Sequence, residues 1–328
     1  MFDSWFTGLG IDLSDHHLRL AQVNIFGHIK KLEEIKLPEG IVVDEKVVKP
    51  EELKTILSQT LQKKGFGNGP YRTTLLIPES RVFSHSMLLE AKLKREERLA
   101  LARDFAQKEI PIPFSQATLC FSPGGRENGK IRTTVYVAHK EVLNPLLQAV
   151  DHPALRVKAV EANTKSLFRL LMRFDQETKQ TNDLIGIVDV GHSWTTMAFY
   201  SNTGSSLVSR TIPHPKPKAE KRQVGSYLDP ATVDKILGTL KETVVFFQQE
   251  ERKIGIIVFG GVEAQDPLLK SQAKQLEVPS FLMAERVSLK RIADVHIQVF
   301  GSAIGAAFRS MSPRTYSNQH NFLTGFHV

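Results

Sequence analysis

One short phrase occurs twice in this chain and constrains its fold more than anything else in it. Gly10-Ile11-Asp12-Leu13-Ser14 lies near the start, and Ile187-Val188-Asp189-Val190-Gly191 lies in the middle. Each is an apolar run interrupted by one Asp and followed by small or polar residues, the pattern of a buried strand that ends in a turn. The two Asp residues stand about half the chain apart, so the pattern predicts two similar halves, each opening on an Asp-bearing strand and turn. Turns of this kind, rich in Gly and Ser, aim backbone amides and hydroxyls outward and are suited to phosphate. The first copy departs from that chemistry, because Ser14 stands where the second copy has Gly191.

At 328 residues the chain has room for two domains or one large bilobed one, and 41% hydrophobic with 24% charged residues is ordinary for a globular protein. Cys120 is the only cysteine, which excludes a disulfide framework and a cysteine-based metal cluster. The first residues, Met1 to Phe6, lack a basic and then apolar leader, and no stretch approaches the ~20 apolar residues of a membrane span. The expectation is a soluble or peripheral protein. The net charge of +8 is spread out, densest at Lys92–Arg95 and Lys216–Arg222. A solvated basic surface is the plainest reading, ahead of an acidic partner or lipid surface. No nucleic-acid-binding motif accompanies the charge, and nucleic acid is not expected as a partner.

The periodicity predicts strands over 8–13, 18–26 and 28–36, a helix from Glu51 to Lys64, and a buried strand over Thr73–Pro78. A block then follows in the order strand, helix, strand, strand, helix, strand. It runs through Val82–Leu89, an amphipathic helix Lys94–Glu109 with Leu99, Ala102, Phe105 and Ala106 as its apolar face, a hairpin turning at Pro123-Gly124-Gly125, a helix Glu141–Val150, and a strand Leu155–Val160. The second half repeats the opening with strands at Leu184–Val190, Thr195–Tyr200 and Ser206–Ile212. It continues with a long helix capped by Asp229-Pro230, a strand Gly255–Phe259 ending on Gly260-Gly261, and a small-residue helix at 301–307.

Asp12, the turn of Asp189, Gly191, Ser193 and Thr195, and the glycine pair Gly260-Gly261 form one constellation. Asp at a strand end holds Mg²⁺ through water, and a glycine pair after a strand lets a flat base approach the backbone. Singly each is more often only a tight turn. In this order they resemble the actin-like ATPase superfamily, which includes sugar kinases, heat-shock chaperones, FtsA and PilM. The family most resembled is PilM of type IV pilus assembly, over about residues 8–312. Three phrases carry that likeness: Pro78-Glu79-Ser80-Arg81-Val82-Phe83, Glu109-Ile110-Pro111-Ile112-Pro113-Phe114, and Val160-Glu161-Ala162.

The resemblance implies an α/β, actin-like ATPase fold of two lobes with a duplicated mixed-sheet core and a small inserted FtsA/PilM-type α/β subdomain. On it, residues 1–77 are the first lobe's core, 78–158 the insert, and 159–183 a return helix and linker. Residues 184–312 are the second lobe, with a reduced outer part around 213–253, and 313–328 are a polar tail. It implies ATP and Mg²⁺ as cofactors, with Asp12, Ser14, Arg19, Asp189, Gly191, Ser193, Thr195, Gly260 and Gly261 facing the nucleotide and Asp12 and Asp189 serving the metal. It also implies a partner, the N-terminal cytoplasmic peptide of a PilN-like inner-membrane protein, with Pro78, Val82, Phe83, Ile110, Pro111 and Phe114 around it. It leaves self-association open and places the protein at the cytoplasmic face of the inner membrane through its partner.

The departures make the nucleotide site degenerate. Ser14, Asp15, His16 and His17 replace a Gly-Ser-Ser-Ser run, and a second carboxylate at ~4 Å from a phosphate charge costs about 4 kcal/mol unless it points away. The glycine pair usual after the second hairpin is replaced by Pro213-His214-Pro215. His16-His17 is a poor metal pair, since neighbours on a strand point to opposite faces. The leading expectation is therefore a scaffold without catalytic residues. An active ATPase or small-molecule kinase and an FtsA-like division filament protein are the alternatives. Asn321-Phe322-Leu323 resembles the Asn-Leu-Leu core of the partner's peptide, which raises docking on this chain itself or on a neighbour.

Overall fold

Short runs of aliphatic and β-branched residues, broken by polar turns, build two sheets of the same plan. The computed structural model describes residues 7–63, 66, 69–110, 112–215, 228–311 and 321–323. The chain forms two compact units, one of Met1–Ser166 with Ser302–Val328 and one of Leu167–Gly301.

In the first unit, β1 (Thr7–Leu13), β2 (His17–Asn24) and β3 (Ile29–Lys36) form an antiparallel meander. A two-residue ribbon follows, β4 (Val42–Val43) and β5 (Lys46–Val47), and then α1 (Pro50–Lys63). Proline at the helix start, Glu51 and Glu52 in the first turn and Lys63 in the last favour α1 locally, and Leu53, Leu57 and Leu61 bury its inner face. β6 (Tyr71–Ile77) joins β1 in parallel. The insert comprises β7 (Val82–Glu90), α2 (Arg95–Glu109), β8 (Ala117–Glu127) and β9 (Lys130–His139), whose strands form a separate sheet in the order β7-β9-β8. After α3 (Lys140–Ala149), β10 (Leu155–Ala162) pairs with β6 and completes the order β10-β6-β1-β2-β3.

The second unit repeats this order. After α4 (Asn163–Phe174), in which the first boundary falls, and α5 (Gln176–Gln180), come β11 (Leu184–Val190), β12 (Trp194–Tyr200) and β13 (Ser206–Pro213). They are followed by α6 (Pro230–Gln249), β14 (Ile254–Gly260), α7 (Pro267–Ala273), β15 (Ser280–Leu282) and α8 (Met283–Arg286). The sheet runs β13-β12-β11-β14-β15, the mirror listing of the first sheet's plan. Long α6 packs Val233, Ile236, Leu237, Leu240, Val244 and Phe247 inward, as its spacing predicts. The final helix, α9 (Asp294–Met311), carries the second boundary, and its residues from Ser302 on belong to the first unit. There α9 lies on bare strand backbone. A Cβ on Gly10 would stand 1.8 Å from the Ala303 carbonyl, and one on Gly8 would stand 2.4 Å from that of Ala307.

Several expectations need correction. The helix and strand at 140–162 belong with the first sheet: α3 packs on α1, its Val142, Leu143 and Leu146 enter the same core, and β10 hydrogen-bonds β6. The β8–β9 hairpin turns at Asn128-Gly129 (φ 48° and 77°), while Pro123-Gly124-Gly125 forms an irregularity within β8. Asn-Gly adopts two successive left-handed residues with little strain and sets a two-residue turn. In α2 only Ala102 and Ala106 are buried, one turn apart, so its apolar face is narrower than expected. The small three-stranded sheet offers it little surface, and Phe105 instead stacks on His85 with ring centroids 4.3 Å apart. Asp229 precedes α6 without a side-chain cap. No helix among the described residues is long and apolar enough to cross a membrane.

Candidate functional site

β1 delivers Asp12, and β11 delivers Asp189, one residue before the strand ends. In the first turn the Ser14 amide donates to the His17 carbonyl at 2.9 Å. The Ser14 hydroxyl accepts from the His17 amide at 3.1 Å, so both groups are engaged inside the turn. Asp15 points away: it accepts the backbone N–H of Glu45 at 2.6 Å, in the left-handed bend between β4 and β5. The same bend receives the insert's leading phrase, since Ser80 donates to the Glu45 carboxylate and Arg81 to the Asp44 carbonyl.

Strand register explains Arg19. It stands opposite Asp12 across β1–β2 and opposite Glu34 across β2–β3. The buried guanidinium donates from Nε to Glu34 at 2.6 Å and lies 4.0 Å from the Asp12 carboxylate. Burial raises the Asp12 pKa above its usual 3.8, and Arg19 opposes that rise without cancelling it. Arg19 thus acts as the counter-ion of a three-strand ladder.

In the second turn the Gly191 amide donates to the Trp194 carbonyl at 2.9 Å, and a Cβ there would stand 3.1 Å from that oxygen. His214 crosses over it. Its backbone N–H donates to the Ser193 carbonyl at 2.8 Å, and its Nδ1 lies 3.0 Å from the His192 carbonyl, which only accepts. Nδ1 therefore carries the proton, and Nε2 accepts from the Thr195 hydroxyl at 2.8 Å. Burial lowers the His214 pKa below 6.5 and keeps this neutral tautomer. His192 pairs through Nδ1 with Glu263, a buried carboxylate whose backbone N–H is fixed on the Val190 carbonyl at 2.9 Å. Gly261, at φ +92°, brings the strand end against Asp189; a Cβ would meet the Asp189 carboxylate and the Val190 carbonyl at 2.5 Å. A Cβ on Gly260 would stand 3.2 Å from both methyl groups of Leu167.

Taken one at a time, the two turns do not fit a triphosphate as they are folded. The hydroxyls of Ser14 and Thr195 bond to the chain's own groups, and the Glu263 carboxylate stands at the second turn. A phosphate charge about 4 Å from that carboxylate meets repulsion of about 4 kcal/mol at an effective dielectric near 20. No cluster of three or more metal-ligating side chains occurs among the described residues.

The residues expected around a peptide do not form one patch. Pro78 and Val82 are buried, and Val82 joins the first-sheet core. Ile110 joins the insert's own core, with Phe114 half-buried beside it under Arg103. Phe83, on the opposite side of edge strand β7 from Val82, is exposed, and Pro111 lies outside the described residues. Sequence reasoning missed Glu34, Glu45, His192 and Glu263 as partners of the turns. Glu34 was recoverable from strand register; Glu263, 71 residues from His192, gave no local signal.

No curated protein sequence matches this chain. Among solved structures, the PilM-PilN type IV pilus biogenesis complex contains a chain 18% identical at TM-score 0.77, covering 93% of this chain and 98% of that one. The cytoplasmic domain of EpsL, an inner-membrane component of the type II secretion system of Vibrio cholerae, is 11% identical at TM-score 0.51, covering 97% and 98%. A Bacteroides thetaiotaomicron protein with an actin-like ATPase fold is 14% identical at TM-score 0.50, covering 87% and 93%. The fold is that of actin-like ATPases. A family model, type IV pilus assembly protein PilM, matches residues 10–241, well over half of the chain. The chain therefore belongs to the PilM family of type IV pilus assembly proteins.

Proposed function

We propose that this protein is a non-enzymatic scaffold of type IV pilus assembly or a related type II secretion machine, and that it docks the N-terminal cytoplasmic peptide of a PilN-like inner-membrane protein. One observation carries the reading. The frame and its inserted three-stranded sheet are intact, while the hydroxyls that would receive phosphate are engaged by His17 and His214. The neighbouring fold in a complex with PilN supports the choice of partner. An extended peptide can add to an edge strand through main-chain hydrogen bonds, with alternate side chains giving specificity. β7 is such an edge, and it presents Phe83 to solvent. Through that partner the protein would sit at the inner membrane's cytoplasmic face. ATP and Mg²⁺, if held at all, would have to displace the internal bonds of both turns, so their binding is expected to be weak.

The test is calorimetric titration of the partner's cytoplasmic peptide into the full chain, with and without Mg-ATP. Saturable binding that does not require nucleotide is expected, weakened several-fold by Phe83→Ala. Absence of binding under both conditions refutes the reading.

A further inference from the structure

β3 closes one edge of the first sheet, and among the described residues it pairs with β2 alone. Just beyond its end the Leu37 N–H donates to the His16 carbonyl at 2.8 Å. In an antiparallel pair such inward bonds recur at every second residue, so Ile35, Glu33 and Lys31 bond back to β2, while the amides and carbonyls of Leu32 and Glu34 point outward. A bare edge of this kind invites another strand, and lysines placed along it commonly repel one. β3 is not guarded in that way. From Lys30 to Glu34 it reads Lys-Lys-Leu-Glu-Glu, which is antisymmetric in charge about Leu32. Lys30 and Glu34 are exposed, and Lys31 and Glu33 are half-buried.

Such a strand is complementary to itself. An antiparallel copy laid along the edge, with a twofold axis at Leu32, sets Lys30 opposite Glu34 and Lys31 opposite Glu33, each pair occurring twice. The two Leu32 residues then exchange N–H to carbonyl bonds across the axis. Either neighbouring register sets like charges against each other: an axis at Glu33 faces Lys30 with Lys36 and Glu33 with itself, and an axis at Lys31 faces that lysine with itself. The favoured register also extends a ladder already present. Asp12, Arg19 and Glu34 stand side by side on three strands with alternating sign, and Lys30 of the second copy becomes the fourth member. The Glu34 side chain takes Arg19 Nε on one side and is still 37% exposed. β3 keeps regular register with β2 from Lys31 to Lys36 and breaks it at Lys30, so the seam ends there and the pairing is weak.

We propose that β3 is a self-recognition edge, through which two copies of this chain join their first sheets into one continuous antiparallel seam centred on Leu32. The occupant of the edge is thus a second copy, selected by charge complementarity. The seam uses neither of the two turns nor β7, and it adds a partner that the scaffold reading does not contain.

Sedimentation velocity of the full chain, from micromolar to millimolar concentration, should show a monomer–dimer equilibrium that weakens with added salt. Lys31→Glu and Glu33→Lys each place like charges opposite one another at two points of the seam, and each should raise the dissociation constant about tenfold or more. Both leave the Arg19–Glu34 pair in place. Mixed in equal amounts, the two variants should dimerise with each other, and the double variant Lys31→Glu/Glu33→Lys should recover self-association, because both arrangements restore opposite charges in the same register. A monomeric parent, single variants that dimerise as the parent does, or a mixture and a double variant that stay monomeric with native circular dichroism, overturns the proposal. Should a single variant not fold, Leu32→Pro decides. It removes one outward N–H without touching a bond to β2, as proline on an edge strand can. Loss of the dimer is expected, and an unchanged dimer overturns the proposal.

Discussion

Two glycine-to-alanine substitutions are expected to move stability in opposite directions. At Gly10 the new methyl would stand 1.8 Å from the Ala303 carbonyl and 2.7 Å from the Ala307 amide, against 3.4–4 Å for ordinary contact. Both obstacles are backbone, so no side chain can swing aside. α9 must retreat by roughly 1.5 Å across a close-packed surface. Overpacking of this kind costs about 1–3 kcal/mol, and rigid backbone on the far side puts Gly10→Ala at or above the upper end. A smaller gain, about 0.4–1 kcal/mol from restricting the unfolded chain, offsets part of it. The net expectation is a loss of about 2 kcal/mol or more, or roughly 4–8 °C in the melting of a unit this size. Gly238, inside α6, meets nothing within 4 Å, so Gly238→Ala should stabilise by about 0.5–1 kcal/mol through helix propensity alone. Differential scanning calorimetry and urea unfolding of the three proteins measure both effects. A Gly10→Ala protein as stable as the parent, or equal losses for both variants, would refute the packing argument.

Calorimetry with Mg-ATP is expected to show no binding in the micromolar range; a dissociation constant of tens of micromolar would mean that the Ser14 and Thr195 bonds open readily. His214 is held neutral with its pKa below 6.5, so the unfolded chain takes up the proton first as pH falls. Stability of the second unit should decline as pH drops below about 6.5 and level off only below the folded value, and His214→Gln should blunt that decline. In NMR titration, an imidazole midpoint above 6.5 would contradict it. Arg309→Met leaves the fully buried Glu161 carboxylate without its guanidinium, which costs about 3–5 kcal/mol. Chemical denaturation should show that loss, and a near-neutral variant would mean that other groups neutralise Glu161.

The fold was largely legible because both repeats announce themselves locally. β1 and β11 are continuous apolar runs with one Asp each, and α6 spaces its buried residues at helical period. What stayed hidden depends on pairing at a distance. β10 reads as well in the insert's sheet as beside β6, since strand periodicity names a face and not a neighbour. The hairpin at Asn128-Gly129 was masked by a stronger-looking proline and glycine cluster only a few residues earlier. The candidate site followed the same division. Asp12, Asp189 and the glycines mark the turns, whereas what fills the second turn, His214 and Glu263, arrives from just past β13 and from beyond β14. A sequence can advertise a cradle without showing that it is already occupied.

The covering of Gly8 and Gly10 by α9 also fixes an order of events during synthesis. Ala303 leaves the ribosome roughly 290 residues after Gly10, some 15–60 s later at about 5–20 residues per second. Until then β1 has a bare backbone face where its helix will lie. The second unit, contained within Leu167–Gly301, can close first, although it is made later. The earliest part of the chain is therefore the last to be finished, and a fragment ending before Ser302 would expose the seam that holds the first sheet together.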